Sequence, residues 1–372
     1  MNFKRLLALM TLVGLLLFTA CSDDDNNHVD YDYAIMAICD SLVANSPVPS
    51  IVIQIKAPDK NIDLLYATGM EDLEQQIEIR TNQTHRSGSI TKTFVVTVLL
   101  QLIDEGLLTL ETKLDNYYPQ IPEAESITME MLTDMTSGLK NYMEAEEFYT
   151  ILEGEMDHYF APDSLINISI RAGADFAPGA DWHYSNTNTI LIGRIIEMIT
   201  GNTLKNELEN RIFENLGMTE TVFLNEGTTI PGDSPQGYYA GEVDSLMYNM
   251  TEVLDISMAW AAGSIVSSMA DMQKYLNALV DGDLLSSEMQ QLRLSCQNQV
   301  TEKPIKYGLG MADYQKFFGH NGSFPGFTTS CYKSPDKDCS IIIFFNCQLD
   351  ENVPDMLFEE ITAMLYDDIC WE

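Results

Sequence analysis

The stretches that read as β-strand lie at the two ends of this chain, and most of what lies between reads as helix and loop. Ser50-Ile51-Val52-Ile53-Gln54-Ile55-Lys56 is rich in β-branched residues and alternates in part, which marks a strand. Pro58-Asp59-Lys60-Asn61 supplies a turn, and Ile62 to Tyr66 reads as the returning strand. Strand patterns come back only at Phe327 to Lys333 and at Cys339 to Cys347. Helical spacing marks Asp32 to Val43, the run after Thr93, Asn188 to Thr200, Asn206 to Asn215, Met258 to Val280 with a break near Ser267, and Pro354 to Tyr366. Strands at both ends with helices between predict one α/β (α+β) sheet domain over residues 33–372, with a helical lobe inserted at about 111–255.

Size and charge narrow the function. A chain of 372 residues with 45% hydrophobic residues can bury a sizeable core. The net charge is −36, the wrong sign for an electrostatic footprint on nucleic acid, so no nucleic-acid partner is expected. The first 20 residues read as an export signal, with Lys4 and Arg5 ahead of an almost wholly apolar run from Leu6 to Phe18. Leu17-Phe18-Thr19-Ala20-Cys21 resembles a lipobox, with an ordinary secretory signal as the alternative. In the lipobox reading Cys21 is the lipidated first residue and residues 21–32 form an acidic tether. The protein is then an outer-membrane lipoprotein of a Gram-negative bacterium, on its periplasmic or surface side, touching membrane through the anchor alone. Six cysteines remain, an even set that permits disulfides in an exported protein; Cys331 with Cys339 and Cys39 with Cys370 are candidate pairs. No CxxC spacing occurs and the five histidines are scattered, so neither a metal nor another cofactor is expected.

The chemistry concentrates in Ser87-Gly88-Ser89-Ile90-Thr91-Lys92-Thr93-Phe94. Phe94, Val95, Val98, Leu99, Leu102 and Ile103 follow at helical spacing, with Gly106 as a C-cap. Ser89 therefore sits near a helix N-terminus with Lys92 one turn on, on the same side. A serine alcohol needs a base to become a nucleophile, and a partly desolvated lysine can serve. Spacing alone is weak evidence, because Ser334-x-x-Lys337 has it too, in a Pro-Asp turn with no helix after it. Two further stretches stand out. Tyr184-Ser185-Asn186 precedes a helix; its bland alternative is a capping loop, and Tyr275-Leu276-Asn277 repeats its spacing inside a helix. Gly319-His320-Asn321-Gly322-Ser323 reads, at its plainest, as a loop with a glycine turn.

In the order Ser-x-x-Lys, Tyr-x-Asn, His-x-Gly, these segments resemble the serine β-lactamase and penicillin-binding superfamily, in its class C-related branch of D-alanyl-D-alanine carboxypeptidases, D-aminopeptidases and esterases. Ile127 to Leu139, Arg211 to Met218, Ala262 to Ser268 and Tyr307-Gly308-Leu309-Gly310 are similar to flanking stretches of that branch, so the likeness covers about residues 33–370. It implies a β-lactamase/transpeptidase-like fold, an antiparallel sheet flanked by helices plus the helical lobe. It implies that Ser89 forms an acyl-enzyme with peptide, β-lactam or ester substrates, that Lys92 and Tyr184 handle its proton, and that Asn186 orients Lys92 and holds the substrate amide. His320, Asn321, Gly322 and Ser323 would line the substrate, the backbone N–H groups of Ser89 and Ser323 forming the oxyanion hole. Which of Lys92 and Tyr184 is the base stays open at this level. Histidine at 320 replaces the lysine usual in β-lactamases of the superfamily, which argues against an efficient β-lactamase. The leading expectation is a D-alanyl-D-alanine carboxypeptidase-like hydrolase; an esterase or D-aminopeptidase and a non-catalytic penicillin-binding lipoprotein are the alternatives. Nothing in the sequence sets the oligomeric state.

Overall fold

The computed structural model describes residues 30–240, 246–295, 298–300, 304–349 and 351–371. The expected signal segment, Cys21 and most of the tether lie outside them. A nine-stranded sheet is built from both ends of the chain. Its strands are β1 (Ser50–Ala57), β2 (Ile62–Asp72), β3 (Ile77–Glu78), β4 (Asn298–Gln299), β5 (Ile305–Gly308), β6 (Met311–Tyr314), β7 (Phe317–Phe324), β8 (Phe327–Ser334) and β9 (Cys339–Phe345). Their order across the sheet is β3-β2-β1-β9-β8-β7-β6-β5-β4, with every pairing antiparallel. The join is made by β1 and β9, with Ile51 opposite Phe345 and Ile55 opposite Ile341.

Alternation along these strands feeds two hydrophobic layers. Ile51, Ile53, Ile55, Ile341, Ile343 and Phe345 point to one side, where α1 (Tyr31–Asn45) and the last helix pack. Val52, Ile342 and Phe344 point to the other. That second layer contains α2 (Thr91–Asp104), α3 (Asn186–Thr200) and α4 (Met269–Asp281), and the last helix is α5 (Val353–Leu365). The residues of α2 from Thr91 to Leu100 are all buried, because the helix runs between the sheet and the helical segment. Each of its large apolar side chains contributes on the order of 1.5–3 kcal/mol of burial.

The structure departs from the sequence reading in several places. Met258 to Val280 is not an interrupted helix: two 3₁₀ turns are followed by a strand, Ile265–Ser268, before α4 begins. The helix expected at Asn206 to Asn215 is two short α-helical pieces, Leu204–Leu208 and Glu214–Leu216, joined by a π-turn at Glu209–Phe213. Gly319 to Ser323 is not a loop but the body of β7. The disulfide pairs do not form. Cys39, Cys331, Cys339, Cys347 and Cys370 are free thiols, with Cys331 facing Ile342 and Cys339 facing Ser334 across β8 and β9. Cys296 falls outside the described residues.

Two glycines let β7 approach the turn that carries Ser89. A Cβ on Gly322 would lie 2.0 Å from the Ser87 carbonyl oxygen, and one on Gly88 would lie 2.5 Å from the Ser323 nitrogen. Gly88 also takes φ +53°, a left-handed conformation suited to glycine. The β7–β8 hairpin closes on Phe324-Pro325-Gly326-Phe327, with Gly326 at φ +94° as a type II turn requires. Counting back from the hydrogen-bonded pair at that turn, the ladder directs the Ser323 N–H away from β8 and toward Ser89's turn. Gly322→Ala should push these backbones apart, costing about 1–3 kcal/mol in a denaturant-unfolding experiment. The same variant should lose labelling by serine-directed acylating probes; full labelling would show that this approach is not needed.

Candidate active site

The chain enters the site on a strand pair: Thr84–Arg86 runs antiparallel to Ile265–Ser268, and the Ser87 N–H donates to the Ile265 carbonyl at 2.9 Å. A single 3₁₀ turn, Gly88–Ile90, then leads into α2. Ser89 sits in that turn, where backbone N–H groups have no partner within the helix. Its side chain is half-buried, and Lys92 Nζ donates to Ser89 Oγ at 2.9 Å. Lys92 is wholly buried and its Nζ also donates to the Ala262 carbonyl at 2.8 Å. No carboxylate among the described residues offsets its charge, so burial pushes its pKa well below the ordinary lysine value. The group facing Ser89 is therefore an amine inclined to accept a proton.

Tyr184 arrives from the loop before α3 and lies under the same amine, with Lys92 Nζ 4.9 Å from its ring centre. Its hydroxyl is buried and approaches Ser89 without closing a hydrogen bond of ordinary geometry. Burial raises its pKa above the usual phenol value, and the serine offsets this only in part. Burial thus favours the protonated phenol and the unprotonated amine.

His320, on β7, closes the other wall, its ring 6.1 Å from that of Tyr184 and 5.6 Å from that of Tyr307. It is fully buried, and burial first, then Lys92, holds its pKa down at about 3. It is a neutral ring. Nδ1 lies 2.5 Å from the Asn321 carbonyl and Nε2 lies 3.2 Å from the Tyr307 hydroxyl. Trp182 extends the aromatic wall, 6.1 Å from Tyr307.

Ser89, Lys92, Tyr184 and His320 thus converge, with Gly322 and the Ser323 amide beside them. Asn321 does not join them. Alternation along β7 turns its side chain to the opposite face, where it donates to Asp355 on α5. Burial pushes Asp355 up to about 6, and it also accepts from Asn352 and Tyr314. Asn186 does not hold Lys92 either. Its amide donates to Asn141 Oδ1 at 3.3 Å and lies 3.2 Å from Met143 Sδ, and the Ala262 carbonyl takes over the lysine. Ala262 and Tyr307 escaped the sequence reading as site residues. A backbone carbonyl carries no side-chain signal, and Tyr307 stood in a stretch read only as flanking. The two decoys lie elsewhere: Tyr275 is buried against Phe94, and Lys337 pairs with Asp368 at the surface.

Among the described residues one group could hold a metal, Glu144, Asp175 and His183 beside Tyr184. Lys140 already lies 3.1 Å from Glu144 and 2.9 Å from Asp175 and neutralises part of their charge.

Comparison with known proteins agrees with this arrangement. A family model described as Beta-lactamase matches residues 41–361. A penicillin-binding protein of Bacillus subtilis is 23% identical over 321 residues, 82% of this chain and 70% of that protein. A D-aminopeptidase of Cereibacter sphaeroides is 26% identical over 288 residues, 75% of this chain but only 53% of that protein, so the chain spans about half of its length. Among solved structures, the D-amino acid amidase of Ochrobactrum anthropi superposes with a TM-score of 0.80 at 25% identity, covering 91% of this chain and 99% of that one. A D-stereospecific amidohydrolase from Streptomyces sp. superposes with a TM-score of 0.76 at 29% identity, covering 85% and 94%. Motif order, convergent geometry and these matches agree: the chain belongs to the beta-lactamase family, within the serine β-lactamase and penicillin-binding superfamily, and is a serine hydrolase.

Proposed function

We propose that this serine hydrolase cleaves amide or ester bonds on the carbonyl side of D-amino-acid residues, in the manner of a D-aminopeptidase or D-amino acid amidase. The observation that carries the acyl-enzyme is the 2.9 Å contact to Ser89 Oγ from a buried lysine whose hydrogen-bond partners are neutral. Lys92 takes the serine proton as Oγ bonds to the substrate carbonyl carbon. The oxyanion that forms faces the N–H groups of Ser89 and Ser323, each donor stabilising it by roughly 3 kcal/mol. As the C–N or C–O bond breaks, the proton on Lys92 passes to the leaving nitrogen or oxygen, with the protonated Tyr184 as relay. Water then attacks the ester, Lys92 takes its proton, and Ser89 leaves as the alcohol.

The choice between Lys92 and Tyr184 as base falls to Lys92, because burial drives the two pKa values in opposite useful directions. The choice of substrate falls against a carboxypeptidase, the leading expectation from sequence. Capture of a free C-terminal carboxylate calls for a cation, and His320 is neutral. The named D-amino-acid amidases and D-aminopeptidase lend support to the alternative. We further read Cys21 as a lipid anchor to the outer membrane; incorporation of a fatty-acid analogue, lost in Cys21→Ala, is the expected result, and labelling that survives the change counts against it.

Purified protein incubated with a fluorophosphonate or a D-amino-acid p-nitrophenyl ester should gain mass at Ser89. Ser89→Ala should gain none and should lose turnover by about a thousandfold or more. Absence of any adduct on the wild-type protein would favour a binder without chemistry. The pH profile follows from Lys92. A base with a depressed pKa is active above that pKa, so kcat/KM should fall on the acid side with a midpoint well below the ordinary lysine value. A rise that begins only near the ordinary lysine pKa, about 10.4, would contradict the assignment.

A further inference from the structure

We infer that Tyr307 is the specificity-determining residue on the leaving-group side: by holding His320 in one neutral form, it makes this subsite accept an uncharged leaving group, a carboxamide or an ester, and turn away one that ends in a free carboxylate. The inference deepens the acyl-transfer reading of Ser89 and rests on it. A carbonyl oxygen only accepts, so the 2.5 Å contact of Nδ1 with the Asn321 carbonyl requires the proton on Nδ1. In a neutral ring Nε2 is then an acceptor, and the 3.2 Å contact with Tyr307 requires the phenol to donate. A phenol that has donated its proton can only accept from anything else. The imidazole has no N–H left, and the phenol no O–H, to offer a carboxylate.

The wall is on the leaving-group side for a chemical reason. The leaving atom takes its proton from Lys92 through Tyr184, so it must lie next to them, and the His320 ring is 6.1 Å from that of Tyr184. The titratable groups facing the imidazole are Lys92 on α2, Tyr184 before α3 and Tyr307 on β5. Among the described residues Lys92 is the basic side chain that bears on the charge of His320, and any proton it carries acts to keep the ring neutral. Lys140, at the rim, is engaged by Glu144 and Asp175. A carboxylate placed against this wall would lose water and gain no charge partner.

The test compares D-alanyl-D-alanine with D-alanyl-D-alanine amide, following release of D-alanine or of D-alanine amide. The wild-type enzyme should favour the amide in kcat/KM by about tenfold or more, with the ratio flat between about pH 5 and pH 8. Tyr307→Phe keeps the ring and removes the donor to Nε2. The neutral imidazole loses that support, so its pKa rises above the wild-type value while burial and Lys92 still hold it below the ordinary one, and the ratio should fall as the pH is lowered. His320→Lys supplies a fixed cation and should reverse the preference. Nitrogen-15 NMR should show His320 as the Nδ1–H tautomer in the wild-type protein and titrating in Tyr307→Phe. If neither dipeptide turns over, the acyl-transfer reading for peptides fails separately, and equilibrium binding of the same pair to Ser89→Ala decides this one. Equal or tighter handling of the carboxylate by the wild-type protein, a charged His320 at neutral pH, or a ratio that Tyr307→Phe leaves unchanged at every pH would each overturn it.

Discussion

A lysine with no carboxylate beside it among the described residues, sealed between the sheet and the helical segment, is the constraint on which the site depends. Lys92 has two hydrogen bonds, to Ser89 Oγ and to the Ala262 carbonyl, and both partners are neutral. In water the ammonium would keep its proton; here desolvation favours the amine. That requires the complete burial of the first turns of α2, which in turn requires the strand Ile265–Ser268 to bring the Ala262 segment against it. An acidic side chain next to Lys92 would pair with it and restore the charge, ending its use as a base. In a chain of net charge −36, keeping carboxylates away from this one nitrogen is a considerable demand on the fold.

The same exclusion of charge explains the other walls. Tyr184 and His320 are each held neutral by burial, one protonated and one not. In the proposed mechanism the site works with a base, a relay and two backbone amides, and the described residues offer no permanent cation to hold a substrate. The carboxylate of Asp355 lies near the site in the chain's topology but on the far face of β7, tied to Asn321, so its charge anchors the strand to α5 from the other side.

The local parts of this site were readable in the sequence. Ser89 and Lys92 lie one helical turn apart, and the apolar run after them defines that helix without tertiary information. Tyr184 was legible because a long amphipathic helix begins just after it. The orientation of Asn321 was not, since Gly319-His320-Asn321-Gly322-Ser323 has the composition of a turn; it is a strand because β6 and β8 pair with β7 and because Gly322 must pass the Ser87 carbonyl. The strand Ile265–Ser268 was hidden for a similar reason: four residues ahead of a strong helix share its apolar content, and only pairing with Thr84–Arg86 and Val222–Phe223 reveals them. Cysteine counting suggested cross-links, but register decides which sulfur atoms meet, and Cys331 and Cys339 are out of step. Partners such as the Ala262 carbonyl belong to the backbone, on which the residue alphabet is silent.

The pairing of β1 with β9 has a consequence in time. Ser89, Lys92 and Tyr184 leave the ribosome early, but the Ser323 amide and the strand that docks against β1 come from the last sixty residues of the chain. A nascent chain carries Ser89 and Lys92, the proposed nucleophile and base, before the Ser323 amide, the second proposed oxyanion donor, has been made. Sheet closure between such distant segments is slow compared with forming local helices. On the proposed mechanism, acylation of Ser89 therefore waits until β7 and β9 have joined the sheet begun by β1.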